Sequence, residues 1–87
     1  MNYIINQDFD RIDTESNTVL FMGDVKKIYI LNEIETQIWN LFDRPCSISE
    51  AHNRFNAITN QVKIKKEDFL GFVDQLITRR ILVLSND

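Results

Sequence analysis

The residues able to do chemistry in this chain are few. His52 is the single histidine and Cys46 the single cysteine, so a nucleophile and its base would have to come from this pair or from carboxylates. Cys46 directly precedes Ser47, which fits a helix N-cap, and a thiol near a helix N-terminus can have its pKa lowered. No basic partner for it is identifiable from the sequence, and a small packing residue is the commoner role. His52 falls on the helix that Ser47 would open, beside polar residues, in the setting of an ordinary surface or boundary histidine. Asp10, Asp13 and Glu15 are near enough to suggest a carboxylate cluster, but Asp13-Thr14-Glu15-Ser16-Asn17 has the composition of a solvated turn. The two glycines, Gly23 and Gly71, are too far apart to form a phosphate-cradling loop. Catalysis is poorly supplied.

The cations offer three readings. Lys26 and Lys27 open an apolar stretch, and Lys63, Lys65 and Lys66 surround the start of the last predicted helix. They could be solvated rim charges that discourage edge-to-edge aggregation, a landing site for an acidic peptide, or phosphate contacts. The net charge of −3 gives no global attraction to nucleic acid or anionic lipid. The middle of the last helix, Phe69–Ile77, has no Arg, Lys or Asn to read base edges, and Asp68 and Asp74 would oppose phosphates. A helix-turn-helix arrangement is compatible with the helix spacing, yet duplex binding is disfavoured.

The elements that position these residues centre on Lys26–Pro45. Lys27-Ile28-Tyr29-Ile30-Leu31 reads as a strand. Asn32 fits an N-cap, and Glu35 can return its bond as in a capping box. Ile34, Ile38, Leu41 and Phe42 then recur at helical spacing, with Trp39 widening the stripe, and Asp43-Arg44-Pro45 closes the helix. Upstream, Tyr3-Ile4-Ile5 and Phe9–Ile12 are both candidates for a first strand. Thr18–Met22 is the second, Gly23-Asp24 a turn, and Lys27–Leu31 the third, at the edge of an antiparallel meander.

Downstream, Ser47-Ile48-Ser49-Glu50 is a second capping box, opening a helix whose apolar face is Ile48, Ala51 and Phe55. Asn56–Lys63, with Ile58 and Val62, is a polar connection. A third helix is predicted over Lys66–Arg79, with Glu67 and Asp68 in its first turn and Arg79-Arg80 at its end, as the helix dipole favours. Phe69, Leu70, Phe72, Val73, Leu76 and Ile77 make it apolar over more of its circumference than one-sided packing requires. Ile81–Leu84 is a last extended stretch.

The expectation is one α+β domain over residues 1–87, with strands within 1–31 and helices within 32–80. A chain this short buries only about two-thirds of its unfolded surface, while 44% apolar residues exclude a disordered chain. One cysteine forbids an intrachain disulfide. The N-terminus lacks the features of a signal peptide, and no apolar run approaches the roughly 20 residues needed to span a bilayer. A soluble cytoplasmic protein is expected. The apolar surplus beside an edge strand describes a groove in which an extended peptide could add a strand to Lys27–Leu31; a wholly internal core is the competing reading.

The residues resemble a known family. Ile28–Leu31 followed by Asn32, then Ile38-Trp39-Asn40-Leu41-Phe42-Asp43, then Ser47-Ile48-Ser49-Glu50, is similar to the PqqD-like family. There a strand ending in Leu-Asn or Leu-Asp leads into a helix with Ile-Trp-x-Leu-Leu-Asp, and a Thr/Ser-hydrophobic-x-Glu step opens the next helix. Asp68-Phe69-Leu70-Gly71-Phe72-Val73-Asp74-Gln75-Leu76 resembles the family's third helix, Asp-hydrophobic-x-x-Phe-Leu-x-x-Leu, and Ile81-Leu82 its closing hydrophobic pair. The resemblance covers nearly the whole chain and is strongest from Ile28 to Leu82. Two departures stand out: Asp43-Arg44-Pro45 where the family usually has Asp-Gly, and Arg80 where it often has glycine.

The resemblance implies a precursor-peptide recognition element for ribosomally synthesised and modified peptides (RiPPs). Its fold would be winged helix-turn-helix-like, a three-stranded antiparallel sheet followed by three helices. Such domains bind a leader peptide as an added strand against the third strand, packed along helix three, and present the core to a modifying enzyme. By position, the strand site is Lys27, Ile28, Tyr29, Ile30 and Leu31. The helix wall is Phe69, Phe72, Val73, Leu76 and Arg79, with Tyr29 and Phe72 as the principal contacts. The implied partners are a precursor peptide and either a radical SAM enzyme, as in pyrroloquinoline quinone (PQQ) biosynthesis, or a leader peptidase, as in lasso-peptide pathways. No catalytic residue, metal, cofactor, nucleic acid or membrane is implied. The alternative is a winged-helix DNA-binding regulator.

Overall fold

The structure, a computed structural model, describes residues 1–58 and 63–86. Val62, expected in the connection before the last helix, lies outside the described residues. In order the elements are β1 (Tyr3–Ile5), β2 (Asp10–Asp13), β3 (Thr18–Met22), β4 (Lys27–Leu31), α1 (Glu33–Asn40), α2 (Ile48–Ile58), α3 (Lys66–Thr78) and β5 (Leu82–Leu84).

Strands β2, β3 and β4 form the expected antiparallel meander, with β4 at one edge. Opposed residues lie in two sets of rows. Arg11, Leu20 and Tyr29 form one row, as do Asp13, Thr18 and Leu31; Ile12, Val19 and Ile30 form another, as do Asp10, Phe21 and Ile28. Side chains alternate across a sheet, so the first two rows share one face and the last two the other. Thr18, Leu20 and Leu31 are buried, which places the helices on the first face.

Both candidate first strands are strands, in different sheets. Tyr3–Ile5 pairs antiparallel with β5 at the far end of the sequence, Tyr3 opposite Leu84 and Ile5 opposite Leu82. It also bridges to Cys46, whose N–H donates to the Tyr3 carbonyl at 3.1 Å and whose carbonyl accepts from the Tyr3 N–H at 2.9 Å.

Helix α1 begins as its sequence dictates. The Glu35 N–H donates to Asn32 Oδ1 at 2.8 Å, and the Asn32 N–H donates to Glu35 Oε1 at 3.1 Å. Ile38, Trp39, Leu41 and Phe42 are buried, but Ile34 is 44% exposed and leaves the expected core stripe. The Arg54 guanidinium, on α2, donates to the terminal Leu41 carbonyl at 3.2 Å. At α2 only half of the expected capping box forms: the Glu50 N–H donates to Ser47 Oγ at 3.1 Å, while the Glu50 carboxylate takes the serine hydroxyl itself.

Trp39 joins the layers. It is 2% exposed, its indole Nε1–H donates to the Ile81 carbonyl at 3.2 Å, and the Arg11 guanidinium of β2 lies 4.6 Å over its ring. Arg11 also reaches Asn40 Oδ1 at 3.2 Å and Asp13 at 2.9 Å. Hydrogen bonds from Arg11 and Thr18 hold the Asp13 carboxyl below its ordinary value, so Asp13 serves the turn and the sheet rather than an acid cluster.

Helix α3 ends in a Schellman motif. The Arg80 N–H donates to the Ile77 carbonyl and the Ile81 N–H to the Leu76 carbonyl, each at 3.0 Å. Arg80 has φ 61°, and Leu76 and Ile81 are both fully buried as the motif's apolar contact. Arginine therefore occupies a left-handed position that glycine fills without strain. Arg80→Gly is expected to raise unfolding free energy by about 0.5–1 kcal/mol, the left-handed penalty less the added freedom of the unfolded chain. Urea denaturation checks this. The Asn6 side-chain amide donates to the Arg80 carbonyl at 2.8 Å, a bond that the substitution leaves in place.

Candidate peptide-binding edge

Strand β4 has β3 on one side and, among the described residues, no strand on the other. Alternate residues of an edge strand direct both N–H and C=O away from the sheet, so β4 offers a main-chain template. Its side chains divide by face. Leu31 is fully buried and Tyr29 half-buried, while Ile28 and Ile30 are 67% and 62% exposed on the opposite face.

Helices α1 and α3 build the wall on the inner side. The Arg79 guanidinium lies 5.7 Å from the Tyr29 ring centroid and 4.0 Å from Glu35 Oε2. This one side chain links α3 to β4 and α1. Phe9 packs on the Tyr29 ring at 5.9 Å. A depression of about 680 Å³ opens between Ile34, in the first turn of α1, Ile64, and Gly71, Phe72 and Gln75 of α3, with Lys63 and Lys65 also lining it; no residue of β4 is in its lining. Glu67 and Asp68 also line it, so its charge is mixed.

Two polar residues of α2 fix the chain that leads into α3. His52 Nε2 lies 2.7 Å from the Ile64 carbonyl and 3.1 Å from the Asn56 amide nitrogen. The Asn56 side-chain oxygen accepts from the Ile64 N–H at 3.1 Å and its amide donates to the Ile64 carbonyl at 3.3 Å. The imidazole also lies 5.1 Å from the Phe69 ring. His52 is thus a strut behind the depression. Cys46 is buried with its thiol against the Leu41 carbonyl at 3.6 Å, and burial pushes its pKa up. Desolvation outweighs the opposing charge of Arg54, so the lowered thiol pKa considered from sequence is not found.

The expected site residues separate into two groups. Lys27, Ile28, Tyr29, Ile30 and Leu31 lie together on β4, while Phe72 of α3 and Arg79, the residue after its end, are half-buried. Phe69, Val73 and Leu76 are fully buried in the core. They face inward at the i, i+4, i+7 spacing that turns one helix face to a core, and offer no surface to a ligand. Between that buried face and the solvent-exposed one (Leu70, Gly71, Asp74, Gln75 and Thr78), Phe72 and Arg79 are half-buried. Gln75, Ile64 and Ile34 were missed as lining residues; Gln75 could have been found by continuing the helical period from Phe72.

Gly71 has open space where a Cβ would stand, so internal packing does not require glycine there. Gly71→Ala is expected to stabilise the fold by about 1 kcal/mol, the helix-interior difference between the two residues, measured by thermal or urea unfolding.

No family model matches the sequence, and no curated protein matches it. Solved structures do. TbiB1, solved in complex with the TbiA(beta) leader peptide, superposes with a TM-score of 0.73 over 97% of this chain and 99% of that one, at 16% identity. The chain shares the fold of TbiB1. A second match is MccB of E. coli, with a TM-score of 0.65 at 17% identity over 100% of this chain but 24% of MccB. This chain therefore spans about a quarter of MccB's length. The α+β fold of three-stranded antiparallel sheet and three helices is the one that the sequence resemblance implied, with the β1–β5 ladder added. No described helix is long and apolar enough to cross a membrane.

Proposed function

We propose that this protein is a non-catalytic adaptor. It captures the leader segment of a ribosomally made precursor peptide as an added strand on β4 and delivers the peptide to a RiPP modifying enzyme or leader peptidase. The observation that carries this reading is the edge of β4, which among the described residues pairs with no second strand, with Arg79 over the Tyr29 ring on its inner side; a depression lined by Phe72 and Gln75 opens on α3. The shared fold with TbiB1, a protein solved with a leader peptide bound, supports it. The partner enzyme would be of the radical SAM or leader-peptidase class. A non-catalytic role is supported by the buried thiol of Cys46 and by the engagement of His52 Nε2 with a backbone carbonyl. Binding would use main-chain hydrogen bonds for affinity and side-chain pockets for selectivity.

The test is a titration of ¹⁵N-labelled protein with precursor leader peptides encoded beside its gene. Amide shifts concentrated in Lys27–Leu31 and in Phe72–Arg79 are expected. Saturable, steeply salt-dependent binding to duplex DNA, with no shift from any leader, would replace this reading with the winged-helix regulator. The exposed acids Glu67, Asp68 and Asp74 on α3 weigh against that outcome.

A further inference from the structure

The sheet face turned away from the helices is unusually apolar. Ile28 and Ile30 of β4 are 67% and 62% exposed and Ile12 of β2 is 54% exposed, with Val19 and Phe21 of β3 half-buried between them. The register aligns Ile12, Val19 and Ile30 in one row, and sets Phe21 beside Ile28 in the next. A one-sided antiparallel sheet ordinarily turns polar residues to water. Here both rows end, at the free edge, on an exposed isoleucine.

A strand added to that edge alternates as β4 does. One set of its side chains faces the inner wall of Tyr29, Phe72 and Arg79; the other set lies directly beside Ile28 and Ile30, at cross-strand contact distance. We infer that the peptide bound by this protein is apolar in both phases, with the outward set β-branched or aromatic and selected by Ile28 and Ile30. The ligand extends by one strand the Ile12–Val19–Ile30 row and the row that runs from Asp10 through Phe21 to Ile28, each at its isoleucine end. It does not present a polar face to water, as an amphipathic strand would. This rests on strand addition at β4 and adds a second, outward specificity surface that the inner groove does not explain.

Charge sharpens the ligand class. Lys26 and Lys27 stand at the start of β4, and Glu33 and Glu35 follow its end. With Asp24 in the same turn the local charge there is +1 (two lysines less one aspartate), so the end of the ligand lying beside Lys26 and Lys27 favours an acidic residue, whichever way the strand runs.

The probe is a displayed library of random 12-residue peptides, selected in parallel on the wild-type protein and on the double variant Ile28→Lys, Ile30→Lys. Both positions are exposed, so the fold survives; circular dichroism and unfolding confirm it. From wild type, enriched peptides should carry apolar residues at successive positions through both alternations. From the double variant, one alternation should turn to Asp and Glu while the other stays apolar. Resynthesised pairs differing only at two outward positions should change preference by about tenfold in opposite senses on the two proteins, from cross-strand pair energies. Identical selections on both proteins would overturn the outward surface and leave strand addition standing. No enrichment from wild type would overturn strand addition and the inference with it. If the double variant binds peptides as wild type does but loses self-association or association with a partner enzyme, the apolar face belongs to that protein contact and the inference fails.

Discussion

Trp39→Ala is expected to remove about 3–5 kcal/mol of stability, the range for deleting a large aromatic from a packed core. The indole is 2% exposed, so little of its volume can be refilled by solvent. Its loss also takes from the Ile81 carbonyl the Nε1–H bond at 3.2 Å, leaving it the Asn6 N–H at 3.1 Å, and removes the ring beneath the Arg11 guanidinium. Domains of this size are stable by about 4–13 kcal/mol in total, so the variant should lose between about a quarter and all of that stability. Each kcal/mol moves the melting temperature of such a domain by about 4–8 °C, and a fall of 15 °C or more in differential scanning calorimetry is the expected reading. A fall of only a few degrees would mean that Trp39 is not the joint between the helices and β5. Trp39→Phe separates the contributions: it keeps most of the apolar contact and loses the hydrogen bond, and should cost about 1–2 kcal/mol.

The second large effect concerns the ligand rather than the protein. In an added strand, alternate backbone N–H groups point to β4 and the others point away. N-methylation of a bound leader peptide, one amide at a time, is therefore expected to produce a period-two pattern. In one phase each methyl group removes a ladder hydrogen bond and pushes the strands apart, lowering affinity by about tenfold or more, given roughly 1 kcal/mol per bond and a steric term above it. In the other phase affinity should stay within a factor of about two. Isothermal titration calorimetry on the unaltered protein reads this without disturbing the fold. A uniform loss, or a period near 3.6, would point instead to a helix lying in the groove, and strand addition would be abandoned.

Legibility in the sequence followed the range of the interactions. The meander, the Asn32–Glu35 capping box and the course of α3 were all readable, because each is fixed by residues a few positions apart. The destination of Tyr3–Ile5 was not. Its partner is Leu82–Leu84, and no local pattern distinguishes a strand that joins its neighbour from one that crosses the molecule. The position of Ile34 failed for a different reason: its spacing fits the α1 stripe, yet as a first-turn residue it lies at the helix end, beside the depression and not over the core. On α3 the apolar surplus was legible and its division was not. Phe69 and Phe72 are alike in type, but one is fully buried and the other lines the depression, and only the direction of the neighbouring elements separates them. The departure at Arg80 was visible in the sequence, and the left-handed backbone there explains why glycine would suit the position.

The β1–β5 ladder has a consequence for how the molecule assembles. It joins Tyr3 to Leu84, near-opposite ends of the chain, whereas the β2–β3–β4 hairpins close over short turns. Loop-closure entropy delays distant pairings relative to local ones. The meander and its edge should therefore form before Tyr3–Ile5 meets Leu82–Leu84. During synthesis, the template for an incoming strand would exist before the ladder that completes the core, and early occupation by a peptide would favour the remainder of folding by mass action.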